Sequence, residues 1–120
     1  MVSENYNPWY KNVEKAKDKA RKLVNKTVAV NQATSVVVGK LEGAEIDKMG
    51  PAHHATCKIT LNNVKRYDLK TDFKFKDEEI GVFFVNNPDS VMTIQELGLK
   101  FPNLHEEVNI NIKKGVWDGS

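Results

Sequence analysis

Two histidines and a cysteine form the cluster of residues in this sequence best suited to binding a metal. His53, His54 and Cys57 lie in one short segment, and both residue types are common zinc ligands. A structural zinc site normally has four ligands in paired spacings, and the one remaining histidine, His105, lies far along the chain. Loop histidines without a metal are the simpler interpretation. We therefore predict no metal and no other cofactor.

The sequence contains no pattern typical of catalytic residues. It has no glycine-rich phosphate loop, no nucleophile elbow and no acid–base pair at a characteristic spacing. Side chains that are distant in the sequence can still meet in the fold, but nothing in the pattern requires it. We therefore expect a protein that is not an enzyme.

A third candidate is the segment "VKRYDLKTDFKFK", residues 64–76, in which aromatic and basic residues alternate with one another. Nucleic-acid-binding surfaces combine these residue types, because bases stack on aromatic rings and phosphates attract cations. The same alternation also fits a two-sided hairpin with one packed and one solvated face, which would separate the rings from the lysines. The sequence leaves both interpretations open.

The elements that position these residues belong to one small domain. The chain has 120 residues, a net charge of +2 and no apolar run long enough to span a membrane. Its first residues lack the basic and apolar segments of a signal peptide. The single cysteine agrees with a reducing compartment. We expect a cytoplasmic protein with no membrane partner.

Helical periodicity appears near the start of the chain. Asn7 and Pro8 are typical of a helix start, and the apolar residues that follow recur at helical spacing, which predicts a helix over about residues 8–24. Trp9, Val13 and Ala16 belong to this apolar stripe. The other faces are rich in lysine, so they form either a solvated surface or a surface that faces nucleic acid.

From Lys26 to Ile94 the period changes to two, which predicts five antiparallel strands and a mainly β fold. Gly39 and Gly43 interrupt the second strand, where glycine indicates a sharp bend or a close backbone approach. The third strand continues into a hairpin that turns near Thr71 and Asp72. The segments predicted as strands are "KTVAV", "SVVVGKLEGAEI", "TCKITLNNV", "EIGVFFVNN" and "SVMTI".

The residues from 95 to 120 form a C-terminal extension. "ELGLKFPNLHEE" is predicted to be irregular, whereas "VNINIKK" alternates with Val108, Ile110 and Ile112 on one face. This alternation predicts an extra strand. Trp117 lies just beyond it and is expected to anchor the segment.

Three segments together resemble the Sm-like (LSm/Hfq) family. "LVNKTVAVNQATSVVVGKLEGAEID" resembles the first Sm motif, with Val37, Gly39, Leu41 and Asp47 at or near the motif positions. "CKITLNNVKR" resembles the strand that follows, and "IGVFFVNNPDSVMTI" resembles the second Sm motif. The N-terminal helix also belongs to that fold. The resemblance implies an Sm-like domain over residues 1–94, with a strongly bent five-stranded sheet that forms a small open barrel.

The resemblance also implies an assembly and a ligand. Sm-like proteins form rings in which the fourth strand of one subunit pairs with the fifth strand of the next. The apolar run "GVFFV" agrees with such pairing, because an apolar strand is poorly suited to a free edge. We expect a homo-oligomeric ring of about five to seven subunits. The family binds single-stranded RNA, often rich in uridine or adenine, and no DNA is expected.

In the family, the nucleotide pocket is formed by the loop after the second strand and by the knuckle between the fourth and fifth strands. Here Asp47 is present, but an insertion follows it, and Cys57 and Lys58 occupy the approximate places of the usual Met-Asn pair. The knuckle lacks the usual arginine. The residues that the resemblance assigns to RNA binding are Asp47, His53, His54, Lys58, Asn86, Asn87 and Asp89.

Two other interpretations remain open. The domain could serve as a structural oligomerisation or protein-interaction module that binds no RNA, with the C-terminal extension making the partner contacts. A more distant alternative is an unrelated small barrel of the OB or SH3-like type.

Overall fold

The computed structural model describes residues 8–48, 55–71 and 75–117, and it begins with a helix followed by a β-sheet. The elements in chain order are α1 (Pro8–Arg21), β1 (Thr27–Gln32), β2 (Ser35–Asp47), β3 (Thr56–Asp68), β4 (Phe75–Val85), a 3₁₀ turn (Pro88–Ser90), β5 (Val91–Thr93), α2 (Ile94–Lys100) and α3 (Pro102–Lys113). The predicted N-terminal helix and five strands are confirmed. The helix ends at Arg21 rather than near residue 24. Asn25, between the helix and β1, adopts a left-handed backbone conformation with a φ of 72°.

The five strands form one antiparallel sheet in the order β4-β3-β2-β1-β5. The two edges are therefore the fourth and fifth strands of the chain. The long β2–β3 and β3–β4 pairings make up most of the sheet, whereas β5 pairs with β1 over three residues, Val91–Thr93. The hairpin turn between β3 and β4 falls between Asp68 and Phe75, where it was predicted; Asp72 lies outside the described residues.

Two irregularities interrupt the β2–β3 ladder, one at each glycine of β2. Val38 pairs with Lys65 and Lys40 with Asn62, so two residues of β3 lie opposite Gly39. One of them, Asn63, has a φ of 55°, in the left-handed region. A second register shift lies between Leu41 and Gly43. Bulges of this kind bend a strand and increase its twist.

The bulge opposite Gly39 changes which β3 residues face each side of the sheet. Before it, Cys57, Ile59 and Leu61 face the first core; after it, Val64 faces that core and Tyr67 faces the opposite side. The first core lies under α1, which contributes Val13, Ala16 and Ala20. Because side chains otherwise alternate between faces, one inserted residue lets the same strand serve two cores.

A second core lies on the other face of the sheet, beneath α2 and α3. Its buried members are Ala29, Val36, Val38, Tyr67, Met92, Leu97, Leu104, Val108 and Trp117. Asn111 of α3 donates a hydrogen bond from Nδ2 to Oη of Tyr67, at 2.7 Å. Burial raises the pKa of Tyr67 to about 12, so its hydroxyl stays neutral at physiological pH. The sheet is thus covered by helices on both faces.

The predicted C-terminal strand is wrong, because "VNINIKK" forms the second half of α3. Leu104, Val108 and Asn111 are buried and recur at helical spacing, whereas Ile110 is 49% exposed. The segment predicted to be irregular contains α2, which Thr93 and Glu96 begin with reciprocal side-chain to backbone hydrogen bonds. The anchoring role of Trp117 is confirmed: the residue is buried, and its Nε1 donates to the carbonyl oxygen of Asn63 at 2.7 Å.

The close approach at Gly39 gives a test of the bulge. A Cβ at this position would lie 2.9 Å from the carbonyl oxygen of Asn62, whereas a Cβ at Gly43 would meet nothing within 4 Å. We expect Gly39→Ala to lower the free energy of unfolding by about 1–3 kcal/mol. Gly43→Ala is the matched control and should change it by less than about 1 kcal/mol. Urea denaturation measures both, and equal effects would contradict the assignment of the close approach to Gly39.

The packing of α3 gives a second test. Leu104 is fully buried in the second core, so Leu104→Ala should lower the free energy of unfolding by about 2–5 kcal/mol. Ile110→Ala, on the exposed side of the same helix, should change it by less than about 0.5 kcal/mol. A thermal or denaturant unfolding series compares them. If Leu104→Ala proved as mild as Ile110→Ala, α3 would not be packed as described.

Candidate nucleic-acid interface

Asp47 and Lys58 lie where β2 ends and β3 begins, close to one another. Lys58 pairs across the ladder with Glu45, and its Nζ lies 2.8 Å from Oε1 of that carboxylate. The hydrogen bond and the charge of Glu45 raise the pKa of Lys58, and Lys58 lowers the pKa of Glu45. Lys58 therefore lies beside a carboxylate in an exposed ion pair.

The knuckle between β4 and β5 is held by its own hydrogen bonds. Asn87 accepts a hydrogen bond at Oδ1 from the backbone N–H of Asp89 at 2.9 Å, which begins the 3₁₀ turn. Lys19 of α1 donates to the carbonyl oxygen of Pro88 at 3.3 Å and to Oε2 of Glu96 at 3.0 Å. Asn87 therefore shapes the knuckle, and Lys19 ties it to α1.

The structure does not bring the predicted site residues into one pocket. Lys58 lines a cleft of about 370 Å³ together with Arg21 and Glu45, whereas Asn86 lines a different cavity of about 500 Å³. Asp89 is exposed on the knuckle. His53 and His54 lie outside the described residues, so their predicted roles remain predictions.

The larger cavity, which we call the rim cavity, lies where the end of β4 meets the turn between β1 and β2. Six of its lining residues could contact a ligand through a ring, a side-chain amide or a charge: Trp9, Asn31, Gln32, Arg66, Phe84 and Asn86. Its volume falls within the range of about 300–1,000 Å³ that is typical of small-molecule sites. Among these six residues only Asn86 was predicted as part of a site.

Two aromatic rings at the rim cavity are accessible to solvent. Trp9 is 38% exposed and Phe84 is 50% exposed, although large aromatic side chains are usually more buried. The Nε1 of Trp9 donates to the carbonyl oxygen of Ala55 at 2.5 Å, which fixes the indole ring against the start of β3. Phe84 faces the side of β4 opposite to the buried Phe83 and pairs directly with Lys58, so its ring lies on the other face of the sheet from Arg66.

Arg66 reaches the rim cavity because of the bulge in β3. Two residues after Val64, it lies on the same side of the strand as the first core. One guanidinium nitrogen donates to Oγ of Ser35 at 3.2 Å, and Cζ lies 5.4 Å from the centroid of the Phe83 ring. The hydrogen bond and the cation–π contact fix the position of the charge.

In the part of residues 64–76 that the structure describes, the aromatic and basic side chains are mainly used for packing and ion pairing within the fold. Tyr67 is fully buried beneath α3, and Lys65 forms an ion pair with Asp77. Neither presents a free stacking surface. Arg66 of this segment lines the rim cavity, and the predicted alternation does not single it out.

The exposed side of α1 is basic and borders the rim cavity through Trp9. Lys11, Lys15 and Arg21 are exposed on this helix and Lys22 directly after it, against one exposed acidic residue, Asp18. Arg21 donates from Nε to the carbonyl oxygen of Ala44 at 3.1 Å, which holds it near the smaller cleft. A cationic surface next to aromatic and amide groups suits a polyanion whose flat groups can stack.

No zinc-like cluster forms around Cys57 in the described part of the chain. Its thiol is buried in the first core, and burial raises its pKa to about 11, so it is protonated at neutral pH. Residues 8–48, 55–71 and 75–117 contain no group of three or more His, Cys, Asp or Glu placed to hold a metal. None of the helices in those ranges is long and apolar enough to cross a membrane.

No protein-family model matches this chain, and no curated protein matches it significantly. The site is therefore defined by its own geometry.

The buried thiol gives a chemical test of the first core. With a pKa near 11, about one thiol in a thousand is ionised at pH 8, and the sulfur is also shielded from solvent. We expect a thiol reagent such as 5,5′-dithiobis(2-nitrobenzoate) to modify Cys57 slowly in the native protein and rapidly in denaturant. Equal rates in the two conditions would contradict the burial of Cys57.

Proposed function

We propose that this protein is an Sm-like, ring-forming protein that binds single-stranded RNA without catalysis, as a chaperone or scaffold. The observation that carries the proposal is the strand order, which leaves β4 and β5 as the two edges of the sheet. These are the strands that pair between neighbouring subunits in the family that the sequence resembles. The N-terminal helix and the bulges of β2 and β3 also agree with that resemblance.

The character of the β4 edge supports an assembly. Val82 and Phe84 are both exposed on this strand, and an exposed apolar edge strand favours pairing with another chain. Since one copy offers β4 and the next offers β5, the contact is head-to-tail, and a suitable rotation closes it into a ring. A closed ring leaves no edge unpaired.

Two features support single-stranded RNA as the ligand. The basic surface of α1 supplies attraction for phosphates, and the rim cavity supplies the accessible Trp9 ring and side-chain amides for unstacked bases. Bases in a duplex are already stacked and paired, so they do not offer their faces to such a cavity. The preference for uridine- or adenine-rich RNA rests on the resemblance.

A second candidate function is a structural oligomerisation module that binds no RNA. The ion pair between Glu45 and Lys58 favours it, because a carboxylate already lies beside the predicted phosphate ligand. The exposed apolar residues of β4 also favour pairing between copies whether or not RNA is bound.

Oligomeric state tests the ring. Light scattering and native mass spectrometry should give a single species of about five to seven subunits. A lysine at an edge opposes pairing, so Val82→Lys should shift the protein towards monomer. A strictly monomeric wild-type protein would contradict the proposed ring.

RNA binding is tested by fluorescence anisotropy with labelled oligo-U and oligo-A at low and high salt. Replacing Lys15 and Lys22 by glutamate should weaken binding at least about tenfold and reduce its salt dependence. The matched control replaces Lys113 and Lys114, which are exposed at the end of α3 beneath the other face of the sheet, and makes the same change in net charge. If the wild-type protein bound neither oligonucleotide at low salt, the structural module would replace the RNA-binding proposal.

A further inference from the structure

We propose that a second cavity binds an aliphatic monocarboxylate, whose chain lies against leucine and isoleucine side chains and whose carboxylate is held by Lys26 and Thr27. This cavity, which we call the seam cavity, has a volume of about 440 Å³ and lies where the start of β1, the junction of β5 with α2, and α3 meet. It shares none of its described lining residues with the rim cavity, and the inference does not depend on the proposed RNA binding. The lining residues that carry it are Leu23, Lys26, Thr27, Ile94 and Ile112.

The apolar part of the seam cavity lies where the two cores reach the surface. Leu23 packs against the first core, whereas Ile94 and Ile112 pack against the second. All three are only half-buried, so part of their aliphatic surface remains open to a ligand. Small-molecule sites typically combine such apolar walls with a few polar groups. The described lining residues include no aromatic ring, so an aliphatic chain suits this cavity better than a planar ring system.

The charge at the seam cavity favours an anionic ligand. Lys26 is exposed directly before β1, and it forms no ion pair with the described residues. The described lining residues include no aspartate or glutamate, so the charge of Lys26 is available to a ligand. One lysine matches the single charge of a carboxylate, whereas a phosphate monoester carries about two charges at neutral pH.

The hydroxyl of Thr27 is the second polar group suited to a carboxylate. Thr27 is 4% exposed, and its Oγ1 is buried without a hydrogen-bond partner among the described residues. A buried hydroxyl that is left unpaired costs free energy, so such groups usually have a partner. Rotation about χ1 moves Oγ1 between staggered positions at the wall of the cavity, where it can donate to a carboxylate. A ligand would then satisfy a donor that the described protein leaves unpaired.

A ligand in the seam cavity would connect parts of the chain that are distant in the sequence. Lys26 and Thr27 lie at the start of β1, whereas Ile112 lies near the end of α3. The bound ligand therefore holds α3 against the sheet, and the cavity exists only when α3 is packed there. Because the ligand binds the folded state and not the unfolded chain, it should raise the midpoint of thermal unfolding as its concentration rises.

The first experiment follows isoleucine methyl signals by NMR while the full-length protein is titrated with decanoate below its micelle concentration. Decanol and decyltrimethylammonium are the neutral and cationic probes with the same chain. The Ile94 and Ile112 signals should shift with decanoate, and the signal of Ile110, which is exposed on α3 and does not line the cavity, should not. Decanol should bind about tenfold more weakly, and the cation more weakly still. Unmoved Ile94 and Ile112 signals, or equal affinity for the three probes, would overturn the inference.

The second experiment compares variants by calorimetric titration with decanoate. Lys26→Gln should weaken binding about tenfold, whereas Lys113→Gln, which removes the same charge from the end of α3 outside the cavity, should bind like the wild type. Thr27→Val should weaken binding about fivefold without lowering the midpoint of urea unfolding of the free protein, because valine replaces a hydroxyl without a partner.

Three outcomes of this comparison would overturn the assignment. Wild-type affinity in Lys26→Gln would remove the basis for an anionic ligand. A lower unfolding midpoint in Thr27→Val would mean that the hydroxyl is already paired within the protein. Light scattering provides the third outcome: if decanoate dissociated an assembly, a second copy of the chain, and not a carboxylate, would be the natural occupant of the seam cavity.

Discussion

A close backbone approach at the centre of the β2–β3 ladder is the constraint on which the rest of the structure depends. Gly39 lies opposite two residues of β3, and a side chain there would meet the carbonyl oxygen of Asn62. Because the bulge inserts one residue into β3, every later side chain of that strand changes faces. Val64 thereby enters the first core, and Arg66 is carried to the rim cavity. One local irregularity thus determines both the packing and the chemistry of the candidate site.

The same bulge adds one large residue to the surface that the C-terminal helices cover. Once Tyr67 faces away from α1, it joins an apolar surface that must be covered, and α2 and α3 cover it. The hydrogen bond from Asn111 to Tyr67 satisfies a buried hydroxyl within this second core. With a helical layer on each face, the strand edges and the rim cavity are the surfaces to which we assign the proposed assembly and RNA binding.

Local periodicity was sufficient to predict α1, the five strands and the irregularity at Gly39. It failed for α3, because Val108, Ile110 and Ile112 alternate as in a strand, while burial follows the helical spacing of Leu104 and Val108 instead. Such a short apolar pattern fits both periods, and tertiary packing decides between them. The consecutive residues Asn62 and Asn63, which tolerate turn conformations, are the sequence signal that could have indicated the bulge.

The candidate site was harder to predict than the fold, because its parts come from distant segments. In the sequence, Trp9 is one residue of the apolar stripe of α1, and Arg66 is one residue of the alternating segment predicted as a hairpin. The folded sheet places both beside Asn86 at the rim cavity. The two predicted residues of the β2–β3 corner, Asp47 and Lys58, are not among the residues that line this cavity. Motif spacing therefore indicated the end of β4, where Asn86 lines the rim cavity, but it did not indicate Trp9 and Arg66, which line the same cavity.

Photo-crosslinking of the assembled protein to an oligonucleotide that contains 4-thiouridine, followed by peptide mass spectrometry, tests the account most directly. Base contact at the rim cavity predicts crosslinks to Trp9 or to the residues beside it, and these should be lost on competition with unlabelled oligo-U. Crosslinks confined to α2 and α3, or the absence of specific crosslinks in a protein that binds RNA, would contradict it.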